Sequence, residues 1–425
     1  MIKILRNKIS FLFILSFFLN GQSAFSQSNF IVNKEHLDYL YKEIVVDGQE
    51  MAIVHIYSNA PDYNYIDDDD EGYACVDDAA RAAIFYLEYY KTYNDSTSLK
   101  KYYNLVEFLL YMQSENGYFY NFIWPDNTIN KTFKTSVAEA NWWSWRALWC
   151  LMEGYELFSD SDDYRSLHVK KCISQIINVI KKDFPKQKNT IKVEGIELPG
   201  WLPFQFASDQ ASLLTIILTK YYEQTKDEQI LDYLNSLVQG IMMMQINDFQ
   251  CEYNGAFLSW QNTWHGWGNS QAYSLLKAYS VLKDERIKES ALLELNNFYK
   301  RLYEIEFLNS FSVNKTGCKY EIIESTKFSQ IAYIIRPMIF ALLEAYNITS
   351  DSSYAIRAGE IAKWFIGRNS AKANMYNSEN GIFFDGIENE SLVNKNSGAE
   401  STIEGLLTLL KISQNKIALS SFQSK

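Results

Sequence analysis

Residues 72–82 of the chain read GYACVDDAARA, a turn that leads into paired carboxylates and then into a run of small side chains. The apolar periodicity that follows predicts a helix over residues 77–93. Because alanines permit close approach of neighbouring helices, this helix is expected to be buried on more than one side. Its polar first turn should then face a space shared with other helices.

The same arrangement recurs five more times along the chain, at intervals of roughly 60–70 residues. Clusters of acidic, amide and aromatic residues precede helix-like runs near residues 139, 201, 264, 321 and 397. One plainer helical segment lies between each pair of clusters. A closed ring of six helical hairpins explains this alternation, because all inner helices would begin at one rim. The predicted fold is therefore an all-α (α/α)6 toroid, formed as a single domain by residues 27–425.

Helical periodicity indicates about a dozen helices joined by alternately short and long connections. They are expected at residues 34–45, 77–93, 99–114, 138–158, 164–182, 208–224, 228–245, 269–282, 285–304, 328–346, 353–365 and 401–412. The long connections are rich in Gly, Trp, Tyr and Phe. Long aromatic loops on one side of a fold usually carry function.

The first residues have the organisation of a secretory signal peptide. Basic residues precede an apolar stretch over residues 9–19, and small residues follow at Ser23, Ala24 and Ser26. The stretch is too short to span a bilayer, so cleavage is predicted between Ser26 and Gln27. We therefore expect an exported protein, periplasmic or extracellular, without a membrane anchor.

Composition narrows the range of partners. The net charge of −11 argues against nucleic acid or anionic lipid as a ligand. Aromatic residues make up 16% of the chain, which suits a large core with an aromatic cleft. No zinc motif and no glycine-rich phosphate loop is present in the sequence, so no metal or cofactor is predicted. The sequence does not indicate an oligomeric state.

Carboxylates at the starts of the inner helices are the candidate catalytic groups. Asp77 and Asp78 open the first of these helices, and Arg81 lies one turn further on, where it can pair with either. They could also serve only to complement the helix dipole. Glu400 precedes Ser401-Thr402-Ile403-Glu404, which has the form of a capping box and would leave Glu400 unengaged at the rim. Closure of the ring would bring Asp78 beside Glu400.

Other rim positions supply further candidates. Asp209 follows a predicted Ser208 cap and is a third possible acid. Tryptophans offer flat faces on which sugar rings stack, and amides, arginine and histidine can hydrogen-bond hydroxyl groups. The predicted substrate contacts are Asn141, Trp142, Trp143, Arg146, Trp201, Trp264, His265, Trp267, Gln271 and Gln330.

Several motifs resemble those of a group of helical-toroid domains often fused to bacterial and archaeal glycosyltransferases. Residues 72–82 resemble that group's DDNARAL signature, and SWRALW at 144–149 is similar to its HGRALWAL. Its C-terminal motifs WFxGxN, DG and GAES match WFIGRN at 364–369, Asp385-Gly386 and residues 398–401. The group is similar to the six-hairpin glycosidase superfamily, whose inner helices carry acidic catalytic residues. The chain departs from the group at residues 141–144, which read NWWS in place of an acidic, histidine-containing stretch.

The expected function is that of a glycoside hydrolase acting on a poly- or oligosaccharide. Asp78 and Glu400 would form the acid–base pair, with Asp77 and Asp209 as substitutes. A polysaccharide lyase on the same fold is one alternative, in which His265, Tyr273, Asn269 and Arg146 would act. A glycan-binding protein without catalysis is another.

Overall fold

A computed structural model describes residues 31–185 and 187–424 of the protein. The predicted signal peptide, residues 1–26, lies outside this part of the chain. The helices are α1 (Glu35–Leu40), α2 (Val76–Tyr93), α3 (Ser96–Tyr111), α4 (Trp142–Glu153), α5 (Tyr155–Ser159), α6 (Tyr164–Asp183), α7 (Ser208–Thr225), α8 (Glu228–Met243), α9 (Gln271–Leu282), α10 (Glu285–Leu293), α11 (Tyr299–Glu304), α12 (Ala332–Thr349), α13 (Ser352–Ala362), α14 (Ala399–Ser413) and α15 (Lys416–Gln423). A π-helical turn, Glu294–Phe298, joins α10 to α11.

The helices form the predicted (α/α)6 toroid. The inner helices α2, α4, α7, α9, α12 and α14 each pack against the next, and α14 packs against α2 to close the ring. The outer partners are α3, α6, α8, the α10–α11 pair, α13 and α15. Since every inner helix returns through an outer one, all six inner helices start at the same end of the ring.

Burial of the inner helices on several sides is confirmed. Ala79, Ala80, Ala82 and Ala83 of α2 are fully buried, as expected where helices approach closely. Helix α7 is buried without interruption from Ser208 to Thr219. A helix enclosed on all sides has no solvated polar face, and polar side chains within α7 such as Thr215 are buried as well.

One predicted helix is partly wrong, and one helix near the C-terminal end was missed. The helix expected over residues 34–45 stops at Leu40, and the chain continues as strand β1 (Tyr41–Val46), paired with β2 (Gln49–Val54). The β-branched run Ile44-Val45-Val46 favours a strand over a helix. Asp47 and Gly48 follow it, and both have positive φ, as the turn of a tight hairpin requires. The last inner helix pairs with α15, which was not predicted. Asn415 caps α15 by accepting from the Ile417 and Ala418 amides.

The long connections contain short antiparallel strands that sequence periodicity did not reveal. They are β3 (Tyr57–Asn59), β4 (Asn64–Ile66), β5 (Ala74–Cys75), β6 (Phe122–Ile123), β7 (Thr190–Val193), β8 (Ile196–Pro199), β9 (Thr263–His265), β10 (Ser310–Thr316), β11 (Lys319–Thr326), β12 (Tyr376–Asn377), β13 (Ile382–Phe383), β14 (Gly386–Asn389) and β15 (Leu392–Asn394). Only β9, β10 and β11 form a three-stranded sheet within the described residues. These loops fix the side chains that surround the starts of the inner helices.

Across residues 31–185 and 187–424, no helix combines the length and the apolar character that crossing a bilayer needs.

Candidate functional site

The paired carboxylates of α2 lie in its first turn, as predicted. Helix α2 begins at Val76, and the Cys75 thiol accepts the Asp78 backbone N–H at 3.4 Å. A negative side chain is favourable near the positive end of the helix dipole. The Asp78 side chain is only 5% exposed, however, whereas that of Asp77 is 19% exposed. The prediction that Asp78 and Glu400 both lie at a solvated rim is therefore wrong for Asp78.

Arg81 is the centre of the candidate site. A single guanidinium nitrogen, Nη2, lies 2.6 Å from Asp78, 3.3 Å from Asp77 and 3.2 Å from Glu400. Its Nη1 donates to Glu404 at 3.0 Å. Arg81 is almost completely buried, and burying a cation requires paired charges of this kind. The predicted proximity of Asp78 and Glu400 is present in the structure and depends on this shared partner.

A second arginine connects the acids to the neighbouring helices. Arg146 of α4 donates to Asp77 and to the hydroxyl oxygen of Tyr333, in the first turn of α12. The Arg146 guanidinium lies 5.4 Å from the ring of Trp142, which is half-buried. Arginine above an aromatic face is a favourable cation–π contact. Trp142 is therefore held beside the acids with part of its ring accessible.

The start of α14 differs from the predicted capping box. The helix begins at Ala399, after Gly398, so Glu400 lies in its first turn and not outside it. Ser401 is not the cap, because its hydroxyl donates to Asp385 at 2.6 Å, and Asp385 also accepts the Gly398 amide. Glu400 keeps an accessible side chain, 46% exposed.

Glu404 is a buried charge partner and not a cap. It is completely buried and accepts from Arg81 and from Arg336 of α12. Burial raises the pKa of the Glu404 carboxyl, but Arg336 and Arg81 outweigh it and lower the pKa below its ordinary value. Glu404 therefore holds α2, α12 and α14 together as an ionised group.

The cluster contains three guanidiniums, of Arg81, Arg146 and Arg336, and four carboxylates. A single bound proton would make it neutral. Burial raises the pKa of Asp78 to about 6; Arg81 opposes the shift, and Asp77 and Glu400 add to it. Asp78 is thus the member best placed to hold that proton, which it loses as pH rises through about 6.

Asp209 lies with His265 in a second group at the same end of the ring. Oδ2 of Asp209 is 3.1 Å from Nε2 of His265, and the imidazole stacks on the Trp267 ring with 4.0 Å between centroids. Trp267 is 40% exposed. Ser208, the predicted cap, is instead the first residue of α7 and donates to the Leu258 carbonyl. The group combines a carboxylate–imidazole pair with an accessible aromatic face.

The remaining predicted contacts differ in accessibility. Asn141 caps α4 and is half-buried; its Oδ1 accepts from the Trp142 amide and from Gln210. Gln271 and Gln330 are buried and donate to Ser208 and to the Glu306 carbonyl respectively.

Three predicted tryptophan contacts are buried as well. Trp143 donates to the Phe119 carbonyl, and Trp264 stacks on Phe311 in the core. Trp201 is among the residues that line a separate groove of about 400 Å³. Trp142 and Trp267 therefore remain the accessible indoles among the predicted contacts.

The residues named for a lyase do not meet. Tyr273 lines a different cavity, with Glu153 and Phe340. Asn269 is fully buried, and its Oδ1 accepts from Tyr299. Arg146 is already engaged by Asp77 and Tyr333. These side chains therefore have different partners, and the lyase alternative remains a prediction.

Sequence reasoning missed the contribution of α12. Tyr333 and Arg336 are buried three residues apart, and Arg81, Arg146 and Arg336 all lie 5.2–5.6 Å from the Tyr333 ring. An arginine within the apolar run AYIIRPMIF was the available signal, since a buried cation needs a carboxylate. Within the described residues, no three His, Cys, Asp or Glu side chains form a group suited to a metal ion.

No protein-family model and no curated protein matches the chain. Solved structures share its fold. A cellobiose 2-epimerase from Bacillus thermoamylovorans is 12% identical, with 84% of this chain and 92% of that chain covered and a TM-score of 0.59. A D-mannose isomerase is 10% identical, with 92% and 99% covered and a TM-score of 0.56. A family 76 glycoside hydrolase from a bovine Bacteroides thetaiotaomicron strain is 12% identical, with 85% and 75% covered and a TM-score of 0.52. The chain thus shares the six-hairpin (α/α)6 toroid fold with structures named as an epimerase, an isomerase and a glycoside hydrolase.

Proposed function

We propose that the protein is an exported glycoside hydrolase that cleaves a poly- or oligosaccharide with Asp78 and Glu400. The observation that supports this is one guanidinium nitrogen of Arg81 shared by a buried and an accessible carboxyl group. Glycoside cleavage requires two carboxyl groups in different protonation states on either side of the scissile bond. Arg81 holds the two at a fixed spacing.

Each group has a distinct task in this proposal. Asp78, whose pKa burial raises to about 6, gives its proton to the departing glycosidic oxygen. Glu400, at the accessible end, attacks the anomeric carbon and forms the glycosyl-enzyme that water then hydrolyses. Asp77 takes the place of either carboxylate if the substrate binds closer to Arg146, and Asp209 is the remaining substitute. Trp142 and Trp267 offer stacking faces for the sugar rings.

The first test is a product analysis with purified mature protein and a panel of plant, algal and microbial glycans. Proton NMR should show new reducing-end anomeric signals on at least one glycan, without the olefinic signal that a lyase product carries. If the protein binds a glycan of the panel but releases no product, the result would favour a glycan-binding protein without catalysis. An unsaturated product would show that the protein is a polysaccharide lyase instead of a hydrolase.

A sugar epimerase or isomerase is the second candidate, because His265 and Asp209 form a second chemical group at the rim. An imidazole oriented by a carboxylate can remove a proton next to a carbonyl. Structures named as a cellobiose 2-epimerase and a D-mannose isomerase share the fold. In deuterium oxide such a reaction would incorporate deuterium next to the carbonyl without chain cleavage, and His265→Gln would abolish it. Cleavage that is unchanged in His265→Gln would exclude this pair from the reaction.

A further inference from the structure

A second cavity lies at the opposite end of the helical ring from the candidate site. It measures about 250 Å³, and all six inner helices contribute to its wall. Most of the lining lies between the middle and the last turns of the inner helices, and Tyr273, in the first turn of α9, is the exception. Asp77, Asp78 and Glu400 of the Arg81 cluster lie in first turns. The two spaces are separated by the layer that contains Arg336 and Glu404. Nothing in the proposed hydrolysis uses this second cavity.

Aromatic side chains form its apolar surface. Tyr273 and Phe340 meet edge to face with 5.6 Å between their ring centroids, and Trp149 is the third aromatic residue of the wall. The Trp149 indole donates to Glu153 at 3.0 Å, so its ring is fixed in place. An aromatic wall with a few placed polar groups is the usual composition of a small-molecule site.

Four of the six charged groups in the wall have ion-pair partners. Lys220 and Glu153 pair with each other, whereas Lys277 and Glu88 pair with residues outside the wall. Lys220 bonds Glu153, and Lys277 lies 3.4 Å from Glu344. Burial raises the pKa of Glu153, but Lys220 and Trp149 outweigh it, so this carboxyl is ionised at neutral pH. Within each of these ion pairs the positive and negative charges cancel.

Lys411 and Glu223 are different. Neither takes part in an ion pair within residues 31–185 and 187–424. The Lys411 ammonium lies 5.9 Å from the centre of the Phe340 ring, and Glu223 accepts one hydrogen bond, from Ser280, at 3.2 Å. Lys411 belongs to α14 and Glu223 to α7, which are separated by two inner helices in either direction around the ring. A cation and an anion thus stand on opposite walls of the cavity.

We propose that this cavity binds a monosaccharide-sized sugar acid. Its carboxylate pairs with Lys411, and its hydroxyl groups donate to Glu223 across the cavity. The C–H face of the sugar ring rests on Phe340 and Tyr273. The volume suits one sugar ring and not a chain. A neutral sugar would leave Lys411 without an anion, and an amino acid would not use the aromatic face in the same way.

The test is calorimetric titration of the mature protein with D-glucuronate, D-glucose and 6-aminohexanoate. Glucuronate should bind with one site per chain and glucose more weakly. Lys411→Met and Glu223→Gln should each weaken glucuronate binding by about tenfold, the loss of one charge-assisted hydrogen bond. Lys300→Met, on the exposed side of an outer helix, and Asp78→Asn, at the other end of the ring, should bind as the wild type does.

Melting without ligand shows whether each variant is folded, and the two variants on opposite walls test the site independently. Absence of glucuronate binding would overturn the proposal, as would unchanged binding in both Lys411→Met and Glu223→Gln. Preferential binding of 6-aminohexanoate would overturn the sugar acid as the proposed ligand and indicate a zwitterionic ligand. Loss of glucuronate binding in Asp78→Asn would show that glucuronate binds at the Arg81 cluster and not in this cavity. None of these outcomes bears on hydrolysis, which is measured separately.

Discussion

The buried carboxyl group of Asp78 in the Arg81 cluster predicts how the proposed reaction depends on pH. Burial raises the pKa of Asp78 to about 6, and the proposed reaction needs this carboxyl protonated. We therefore expect kcat/KM to fall as pH rises through about 6, because the proton donor is lost. The measurement is a pH–rate profile on the glycan identified from the panel. A rate that rises through this range would assign the acid to another residue.

The spacing of two carboxyl groups predicts the stereochemistry. Asp78 and Glu400 contact the same Arg81 nitrogen, so their nearest oxygens lie within about 6 Å of each other. Carboxyl groups stand about 5–5.5 Å apart in retaining glycosidases and about 6.5–9.5 Å apart in inverting ones. We expect the first product detected by proton NMR to keep the anomeric configuration of the substrate. An inverted first product would mean that a different pair acts.

Glu294, in the π-helical turn, is a buried acid away from both cavities. Burial raises its pKa to about 8, and its Oε1 accepts the Phe257 amide at 3.1 Å. Since the folded pKa exceeds the unfolded one, this group stabilises the fold below pH about 4.5 and the contribution disappears as pH rises through about 8.

The variant Glu294→Gln should remove that dependence. Relative to it, the wild type should lose up to about 1.4 kcal/mol of unfolding free energy per pH unit between the two pKa values. Urea denaturation at pH 5 and pH 8 measures this, with the exposed Glu289→Gln as the control. Parallel stability curves for wild type and Glu294→Gln would show that Glu294 is ionised in the fold.

At the scale of elements, Glu404 joins three inner helices while Glu400 joins two. Removal of the Glu404 charge leaves the buried Arg336 without its carboxylate, which costs on the order of 3–5 kcal/mol. The Glu400 side chain is 46% exposed, so the substitution Glu400→Gln should lower the free energy of unfolding by no more than about 1 kcal/mol. Denaturant unfolding of Glu404→Gln and Glu400→Gln, one helical turn apart, gives a matched comparison. Equal stability in the two variants would contradict this account of the ring contact.

Helix starts could be predicted from sequence only in part. Asp77 and Asp78 were placed correctly, because acidic residues next to an alanine-rich run are a local signal. The start of α14 was misplaced, because its N-terminal amides bond to Asp385 and to the Ile56 carbonyl, which are remote in sequence. A local capping box could not reveal those partners. The same holds for Glu404, whose partner Arg81 lies 323 residues away.

At the scale of the whole molecule, the interval between polar clusters was sufficient to predict the toroid. The interval is a property of the entire chain, so it survived errors at single elements, such as the strand in place of helix at Tyr41–Val46. What it could not supply is which side chains of adjacent inner helices meet. Asp209 therefore lies with His265, and Tyr333 lies between three arginines that sequence spacing does not connect.

The central claim is that Asp78 and Glu400 perform the chemistry together. The most direct test is turnover of Asp78→Asn and Glu400→Gln on the glycan that the wild type cleaves, with melting curves to verify folding. The exposed Asp69→Asn and Glu324→Gln serve as controls of equal charge. Arg81 retains three carboxylate partners in each single variant, so both should fold. We expect both to lose roughly 10²–10⁴-fold in turnover while the controls keep wild-type rates. Near-wild-type turnover in either folded variant would contradict the claim and move the search to Asp77 and Asp209.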